Sequence, residues 1–138
     1  LTASVENASH NSNTSTNLNK HVITTAIQLK KDLATAQQQG KIAVLDFYAD
    51  WCIACKIMEE EIFNQASVKI AMKDVVFIQM DMTDNSNDQL QLLTDMGLFG
   101  PPAVLFFKDN HELKELRIVG EVPANTFMAQ LQQAQYSL

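Results

Sequence analysis

The feature that constrains this chain most is a pair of cysteines, Cys52 and Cys55, placed where an apolar segment gives way to a helical one. Residues 42–48 are apolar, β-branched or aromatic apart from one aspartate, which is typical of a strand covered on both faces. The residues that follow, to about Phe63, have a helical pattern. A C-x-x-C pair at a helix start directly after a strand predicts a redox-active dithiol.

The position of the pair at a helix start gives the two thiols different roles. A helix N-terminus presents free backbone N–H groups and the positive end of the helix dipole, and both stabilise an anion. Cys52 would receive this stabilisation as the thiolate, which is the form that attacks disulfides. Cys55 follows about one helical turn later on the same side, close enough to form a disulfide with Cys52. We therefore predict that Cys52 is the nucleophile and Cys55 the resolving thiol.

Three other uses of a cysteine pair compete with this one. A structural disulfide across so short a loop would constrain the unfolded chain far less than one across a long loop. A zinc site needs two further ligands, but the chain has no other cysteine and its histidines, His10, His21 and His111, are scattered. Covalent haem attachment needs a histidine directly after the second cysteine, where this chain has Lys56. Haem attachment is excluded, and the other two uses stay open.

Composition limits the partners and the number of domains. The 138 residues are enough for one domain with a substantial core. A formal net charge of -6 at pH 7 argues against nucleic acid or an anionic membrane as a partner, since both need basic patches. Residues 1–19 are rich in Asn, Ser and Thr, so we expect a flexible linker there and one folded domain over residues 20–138. Because the chain starts at Leu1 without a signal-peptide pattern, we expect a fragment or a processed product.

The periodicity of the chain predicts an α/β fold, with a central mixed β-sheet and helices on both faces. The active-site helix is expected to run unbroken to about Phe63, and Asn64 is expected to cap a short helix after it. Residues 113–119 alternate weakly and predict an antiparallel strand at a sheet edge. The other predicted strands lie near residues 21–23, 42–48, 75–82 and 103–107, and the other helices near residues 25–39, 66–72 and 87–96 and from Pro123 onward.

The segment around the cysteines resembles the active site of the thioredoxin superfamily. Residues 48–56, Tyr-Ala-Asp-Trp-Cys-Ile-Ala-Cys-Lys, carry this likeness. Residues 45–56 are most similar to the C-terminal domains of the DsbD family of thiol:disulfide interchange proteins. The dipeptide between the cysteines is Ile-Ala, in place of the Gly-Pro of ordinary thioredoxins. The likeness extends over residues 20–136 and implies a thioredoxin-like fold.

Pro102 stands where thioredoxins have their cis-proline. The resemblance implies a cis Pro101–Pro102 bond, whose backbone would lie beside the cysteines and hydrogen-bond an extended partner segment. The chain departs from the common pattern because Pro101 has no N–H to donate and Ala103 replaces the usual threonine. The alternative is an ordinary trans Pro-Pro turn. Trp51 and Phe99 are predicted to join the same partner-binding surface, with a core position as the alternative for each.

Two carboxylates accompany the cysteine pair. Asp46 stands in an apolar strand, and burial should raise its pKa above the reference value of about 3.9. The resemblance implies that Asp46 assists proton transfer at the resolving Cys55. Glu59 follows Cys55 by four residues, which places it on the same side of the helix, and members of the DsbD family carry an acid there. The alternative for Glu59 is a solvated acidic face shared with Glu60 and Glu61.

We expect these carboxylates to outweigh the helix dipole at Cys52. The dipole favours the thiolate by about 0.3–1 kcal/mol. A desolvated like charge can shift a pKa by more than one unit, or more than about 1.4 kcal/mol. Cys52 is therefore predicted to be less acidic than the nucleophile of an ordinary thioredoxin, and to stay unreactive until a partner docks.

These features predict a protein-disulfide reductase that acts through transient mixed disulfides with other redox proteins. The resemblance implies a monomeric domain that relays electrons at the periplasmic face of the bacterial inner membrane, from a membrane-embedded domain to a soluble periplasmic domain of the same parent protein. No metal, flavin or nucleotide is expected, and the redox-active group is the Cys52–Cys55 disulfide. The alternatives are a general thioredoxin, a cytochrome-maturation thiol reductase, and a non-catalytic peptide-binding module. The candidate catalytic residues are Cys52, Cys55, Asp46 and Glu59, and the candidate partner-binding residues are Trp51, Phe99, Pro101 and Pro102.

Overall fold

Six strands form one mixed sheet in the computed structural model, which describes residues 19–137. Strands β1, β3 and β2 are parallel neighbours in that order, and β4 runs antiparallel to β2. The short strands β5 and β6 both pair with β4. The predicted mixed sheet is confirmed, whereas the linker predicted over residues 1–19 lies, except for its last residue, outside the described part of the chain. The strands are β1 (Lys20–Ile23), β2 (Ala43–Tyr48), β3 (Val76–Asp81), β4 (Ala103–Lys108), β5 (His111–Glu112) and β6 (Ile118–Val119).

Helices cover both faces of this sheet, as predicted. One face, with Leu45 and Phe47 of β2, packs against α1 and α4. The other face, with Val44 of β2, packs against the segment after the active-site helix and against α5. None of the helices described between residues 19 and 137 is long and apolar enough to cross a membrane. The helices are α1 (Ala26–Gln38), α2 (Ile53–Met58), α3 (Ala66–Ala71), α4 (Asn87–Asp95) and α5 (Ala124–Tyr136).

Local sequence signals explain where α1 begins and ends. The Thr25 hydroxyl accepts a hydrogen bond from the Gln28 N–H, and the Gln28 side-chain oxygen accepts one from the Thr25 N–H. This capping box satisfies donors that a helix start otherwise leaves free. Gly40 follows the helix with φ +66, a left-handed conformation that glycine adopts without steric cost. The chain can therefore turn at once into β2, the strand that leads to the cysteines.

The active-site helix differs from the prediction. It is α-helical over α2 and then continues as a π-helical segment, Glu59–Phe63, in which the Asn64 N–H donates to the Glu59 carbonyl at 2.9 Å. Asn64 therefore ends this segment and does not cap α3, whose N-cap, Gln65, makes no capping hydrogen bond through its side chain. The apolar residues that the segment buries, Ile62 and Phe63, have spacings that suit an α-helix equally well. The pattern could not reveal the change of helix type.

The edge strand predicted over residues 113–119 is present only in its last two residues, Ile118–Val119. A 3-10 turn, Lys114–Leu116, separates β5 from β6, and both strands pair with β4. The turn buries Leu116 against the core on the α5 side of the sheet. Burial of this leucine explains why the weak alternation in the sequence does not continue as one strand.

Candidate active site

Cys52 and Cys55 form a disulfide at the N-terminus of α2. Their Cα atoms are 5.2 Å apart, within the usual range for a disulfide. Cys52 is the N-cap residue, and its Sγ accepts a hydrogen bond from the Cys55 N–H at 3.1 Å. The same N–H can stabilise a Cys52 thiolate once the disulfide is opened. This position is the one predicted for the nucleophile.

Cys55 lies on the inner side of the pair. Its Sγ is 3.8 Å from the carbonyl oxygen of Phe47, near the C-terminal end of the buried strand β2. As whole residues Cys52 is 6% and Cys55 4% exposed. Because both cysteines are almost fully buried, a partner must fit closely against the protein to exchange disulfides with them. Cys52 is the cysteine nearer the start of the helix.

The Pro101–Pro102 peptide bond is cis, as the resemblance implied. Ala103, the next residue, pairs with Phe47 across the antiparallel ladder of β4 and β2. Because the Cys55 sulfur contacts the Phe47 carbonyl, the Pro-Pro bend lies at the same end of the sheet as the disulfide. The Pro102 carbonyl accepts a hydrogen bond from the Gly120 N–H at 3.0 Å, which ties the bend to the residue after β6.

Two aromatic side chains near the site are exposed, one beside Cys52 in sequence and one just before the Pro-Pro bend. Trp51 is 52% exposed, and its indole N–H donates to the Thr83 carbonyl at 3.2 Å. The Thr83 hydroxyl also accepts from the Asp50 N–H at 2.9 Å, so Thr83, two residues after β3, holds the turn before Cys52. Phe99, which precedes the bend, is fully exposed. A core position is therefore wrong for both aromatic residues.

Asp46 is buried in β2, on the face that packs against the π-helical segment after α2. Loss of hydration on burial is the largest influence and raises its pKa from 3.8 to about 7. The Gln79 amide opposes this rise by donating a hydrogen bond to the carboxylate at 3.1 Å. The charge of Glu59 raises the pKa further, and the charge of Lys20 lowers it. A carboxyl group with a pKa near 7 can release or accept a proton at neutral pH.

Glu59 belongs to the same cluster as Asp46. Gln79 Nε2, which donates to Asp46, is also 3.4 Å from Glu59 Oε1. Lys20 Nζ is 3.1 Å from Glu59 Oε2. Glu60 and Glu61, in contrast, are exposed. The solvated acidic face predicted as an alternative therefore describes Glu60 and Glu61 but does not describe Glu59.

Sequence reasoning missed two members of this cluster. Gln79 is a polar residue inside an apolar strand, which is the same signal that singled out Asp46. Its significance depends on its register opposite Asp46, which the sequence does not give. Lys20 carried no signal, because it stands at the start of a short strand beside a polar segment.

Among residues 19–137, no group of three or more His, Cys, Asp or Glu side chains is arranged to hold a metal ion.

Comparisons by sequence and by structure both match this chain to thioredoxin-like proteins. The family model of the thioredoxin-like domain matches residues 29–135. The thiol:disulfide interchange protein DsbD of Ralstonia nicotianae is 41% identical over 107 residues, which are 78% of this chain and 18% of that protein. DsbD of Escherichia coli strain K12 is 37% identical over 129 residues, which are 93% of this chain and 22% of that protein. The chain thus spans about a fifth of the length of these curated relatives.

Solved structures extend the comparison to the fold. The oxidised C-terminal domain of Neisseria meningitidis DsbD superposes with a TM-score of 0.69 at 35% identity, covering 82% of this chain and 98% of that domain. A poplar thioredoxin h superposes with a TM-score of 0.70 at 21% identity, covering 87% of this chain and 99% of that one, and shares the fold.

The family match covers most of the chain, and the chain in turn matches nearly all of a solved DsbD C-terminal domain. The Cys52–Cys55 disulfide at the start of α2 supplies the reactive group. The chain therefore belongs to the thioredoxin-like family, as a thiol-disulfide oxidoreductase domain of the DsbD C-terminal type.

Proposed function

We propose that this domain relays electrons at the periplasmic face of the bacterial inner membrane. It takes two electrons from a membrane-embedded domain and passes them to a soluble periplasmic domain of the same parent protein. The observation that carries this proposal is the Cys52–Cys55 disulfide at a helix N-terminus, in a chain that covers 98% of a solved DsbD C-terminal domain. The curated relatives are about four times as long as this chain, which leaves room in such a protein for a donor domain and an acceptor domain.

Each transfer is an exchange of one disulfide for another. In the reduced domain the Cys52 thiolate attacks one sulfur of the partner's disulfide, and the other partner sulfur leaves as a thiolate. The mixed disulfide then breaks when Cys55 loses its proton and attacks the Cys52 sulfur. The partner gains two electrons and, with two protons, becomes a dithiol, while the domain is left with its Cys52–Cys55 disulfide. The two sulfurs carry the electrons, so the proposal needs no metal, flavin or nucleotide.

Asp46 is proposed to accept the proton of Cys55. Its pKa of about 7 lets it be a carboxylate in much of the population at neutral pH, and a carboxylic acid after the transfer. The Cys55 sulfur contacts the carbonyl of Phe47, the residue next to Asp46 in β2. Asp46 and Cys55 are both buried, so the carboxyl group can take up a thiol proton that bulk water does not reach easily.

Trp51, Phe99, Pro101 and Pro102 are proposed to bind the partner. The two aromatic side chains are exposed, and the two prolines form the cis bend at the disulfide end of the sheet. An extended partner segment could lie along the bend and present its own disulfide to Cys52. An extended segment is narrow enough to approach the two cysteines, which are almost fully buried.

Removing the charge of Glu59 tests its proposed restraint on Cys52. In the reduced domain, Glu59→Gln is expected to lower the midpoint pH of Cys52 thiolate formation by about 0.5–1 unit, because a like charge near the thiolate is lost. Thiolate absorbance in the ultraviolet measures this midpoint, and Glu60→Gln, at an exposed neighbour, is the matched control. Because the groups titrate together, each midpoint describes the cluster and not one residue. An unchanged midpoint in Glu59→Gln rules Glu59 out.

The relay itself is tested by the reduction potential of the Cys52–Cys55 pair. Equilibration of the domain with glutathione or dithiothreitol couples of known potential is expected to give a value well below the approximately -120 mV of a strong periplasmic oxidase. The reduction potential of a reductant must be lower than that of its acceptor, because electrons pass to the couple of higher potential. A measured potential near about -120 mV would mark the domain as an oxidant and contradict the relay.

A further inference from the structure

We infer that Lys20 is a positioning residue of this site: through its ion pair with Glu59 it offsets part of the negative charge beside the cysteines, and so sets how readily Cys52 becomes a thiolate. The inference rests on the proposed restraint of Cys52 by Glu59 and Asp46. It concerns a residue of the first strand, far from the cysteines in sequence.

The ion pair joins the edge of the sheet to the active-site helix. Lys20 is the first residue of β1, and its Nζ is 3.1 Å from Oε2 of Glu59, the first residue of the π-helical segment. The two side chains are 28% and 27% exposed, so water screens their attraction only in part. An ion pair in this setting has a larger effect on its neighbours than one on an open surface.

Strand register places the whole cluster on one face of the sheet. Lys20 pairs with Phe77 and Asp46 pairs with Gln79, both across parallel ladders to β3. Phe77 and Gln79 are two residues apart, so the side chains of Lys20, Gln79 and Asp46 point to the same side. Glu59 reaches this face from the π-helical segment. The contacts therefore run from Lys20 to Glu59, to Gln79 and to Asp46, across three neighbouring strands.

The cluster needs a positive charge because its two acidic side chains share one neutral donor. Gln79 Nε2 carries two hydrogens and contacts both Asp46 and Glu59, which brings two potential negative charges close together. Like charges in a poorly hydrated site repel each other strongly. Lys20 supplies a cation that contacts Glu59 directly, and its charge acts on Asp46 with the sign opposite to that of Glu59.

Other charged groups on the surrounding elements have partners elsewhere. Lys56 of α2 lies 3.5 Å from the Tyr48 hydroxyl and 6.0 Å from the centre of its ring. The Tyr48 hydroxyl in turn donates to Asp50 at 3.0 Å. Asp81 of β3 accepts hydrogen bonds from Thr83. These groups lie around the turn before Cys52 and do not contact the Glu59 carboxylate.

Within residues 19–137, the salt bridges bring no second cation to the cluster, and Arg117 pairs with Glu112. His21, the next residue of β1, pairs with Asp32 of α1 at 2.5 Å, toward the opposite face of the sheet. Helix α5 contains no charged residue. Lys108 of β4 contacts the Ser137 carbonyl at the far end of that strand. The charges that act on Asp46 are those of Glu59 and Lys20.

The test is the Lys20→Met variant of the reduced domain. Glu59 stays near Gln79 in this variant but loses its counter-charge, so the Cys52 thiolate is less favoured. The midpoint pH of thiolate formation is expected to rise by about 0.5 unit, which means about threefold less thiolate at neutral pH. Reaction of Cys52 with iodoacetamide should slow by the same factor. Both changes should shrink in about 1 M salt, where charges are screened within about 3 Å.

Two control variants separate charge from structure. Lys20→Arg keeps the positive charge and is expected to keep the midpoint of the wild type. Lys31→Met removes an exposed lysine of α1 and is expected to leave the midpoint unchanged. An unchanged or lower midpoint in Lys20→Met overturns the inference, as does a rise in Lys20→Arg equal to that in Lys20→Met.

Glu59→Gln decides which proposal has failed. If Glu59→Gln lowers the midpoint but Lys20→Met does not raise it, the restraint by Glu59 stands and the inference about Lys20 fails. If Glu59→Gln has no effect, the proposed restraint itself fails, and with it the basis for the inference. When Lys20→Met is combined with Glu59→Gln, it should raise the midpoint by less than it does in the wild-type background, because Lys20 acts through Glu59.

Discussion

The Cys52→Ser variant is expected to lose protein-disulfide reduction by on the order of a thousandfold or more, down to the uncatalysed background. A serine hydroxyl at the N-cap of α2 keeps the hydrogen bond from the Cys55 N–H, but it cannot form a disulfide with a partner. Reduction of insulin with dithiothreitol as the electron source measures this loss. The fold should survive the change, since a disulfide that closes so short a loop restricts the unfolded chain only slightly.

The Cys55→Ser variant is expected to behave differently, because it removes the second step and not the first. Cys52 still attacks the partner, but nothing displaces the partner afterwards, so the mixed disulfide accumulates and can be seen by mass spectrometry under non-reducing conditions. This asymmetry follows from the positions of the sulfurs, with Cys52 at the helix start and Cys55 against the Phe47 carbonyl. A wild-type domain that reduces insulin no faster than Cys52→Ser would be a module that only binds. Trapping by Cys52→Ser and not by Cys55→Ser would reverse the assigned roles.

The parts of the site that could be predicted from sequence are those set by neighbouring residues. The strand that ends in the cysteine pair is apolar almost throughout, and Cys52 stands at the helix start because β2 must end before α2 can begin. The cis bond before Pro102 followed from the resemblance to a family with a cis-proline there, and not from any physical property of the Pro-Pro pair. The mixed sheet followed from the order of strands and helices along the chain.

The parts that could not be predicted depend on register between distant strands. Lys20 and Glu59 are 39 residues apart in sequence, and they meet because β1 lies beside β3 and not beside β2. Hydrophobic periodicity gives each strand a buried face but does not give its neighbours. Gln79 carried the same signal as Asp46, a polar group among apolar ones, and only their pairing across two strands gives that signal its meaning. The exposure of Phe99 was equally undetermined, since an aromatic residue before a turn suits a core or a surface.

The Asp46→Asn variant of the oxidised domain is expected to be more stable than the wild type above pH 7, by up to about 4 kcal/mol, and equally stable below about pH 4. Burial raises the pKa of Asp46 from 3.8 in a solvated chain to about 7 in the folded protein. Between these two values the folded state holds a proton that the unfolded state has released. The stability that this proton contributes is fully present below about pH 4 and is lost as the pH rises through 7.

Asparagine keeps the shape of the side chain and can still accept the hydrogen bond from Gln79, but it does not titrate. The difference in free energy of unfolding between variant and wild type should therefore grow from pH 4 to pH 7 and then level off. Urea denaturation at several pH values measures it. Asp74→Asn, the same substitution at an exposed position, should change stability by less than about 0.5 kcal/mol at every pH.

The same substitution is expected to slow disulfide exchange, because it removes the group proposed to take the Cys55 proton. A buried carboxyl group that lowers stability at the working pH is understandable in a site that uses its proton, and harder to explain in a core that only packs. Greater stability together with slower exchange in Asp46→Asn would therefore support both the raised pKa and the proposed use of Asp46. If the variant is no more stable than the wild type at pH 8, Asp46 carries its charge without cost, and its place in the proton transfer has to be given up.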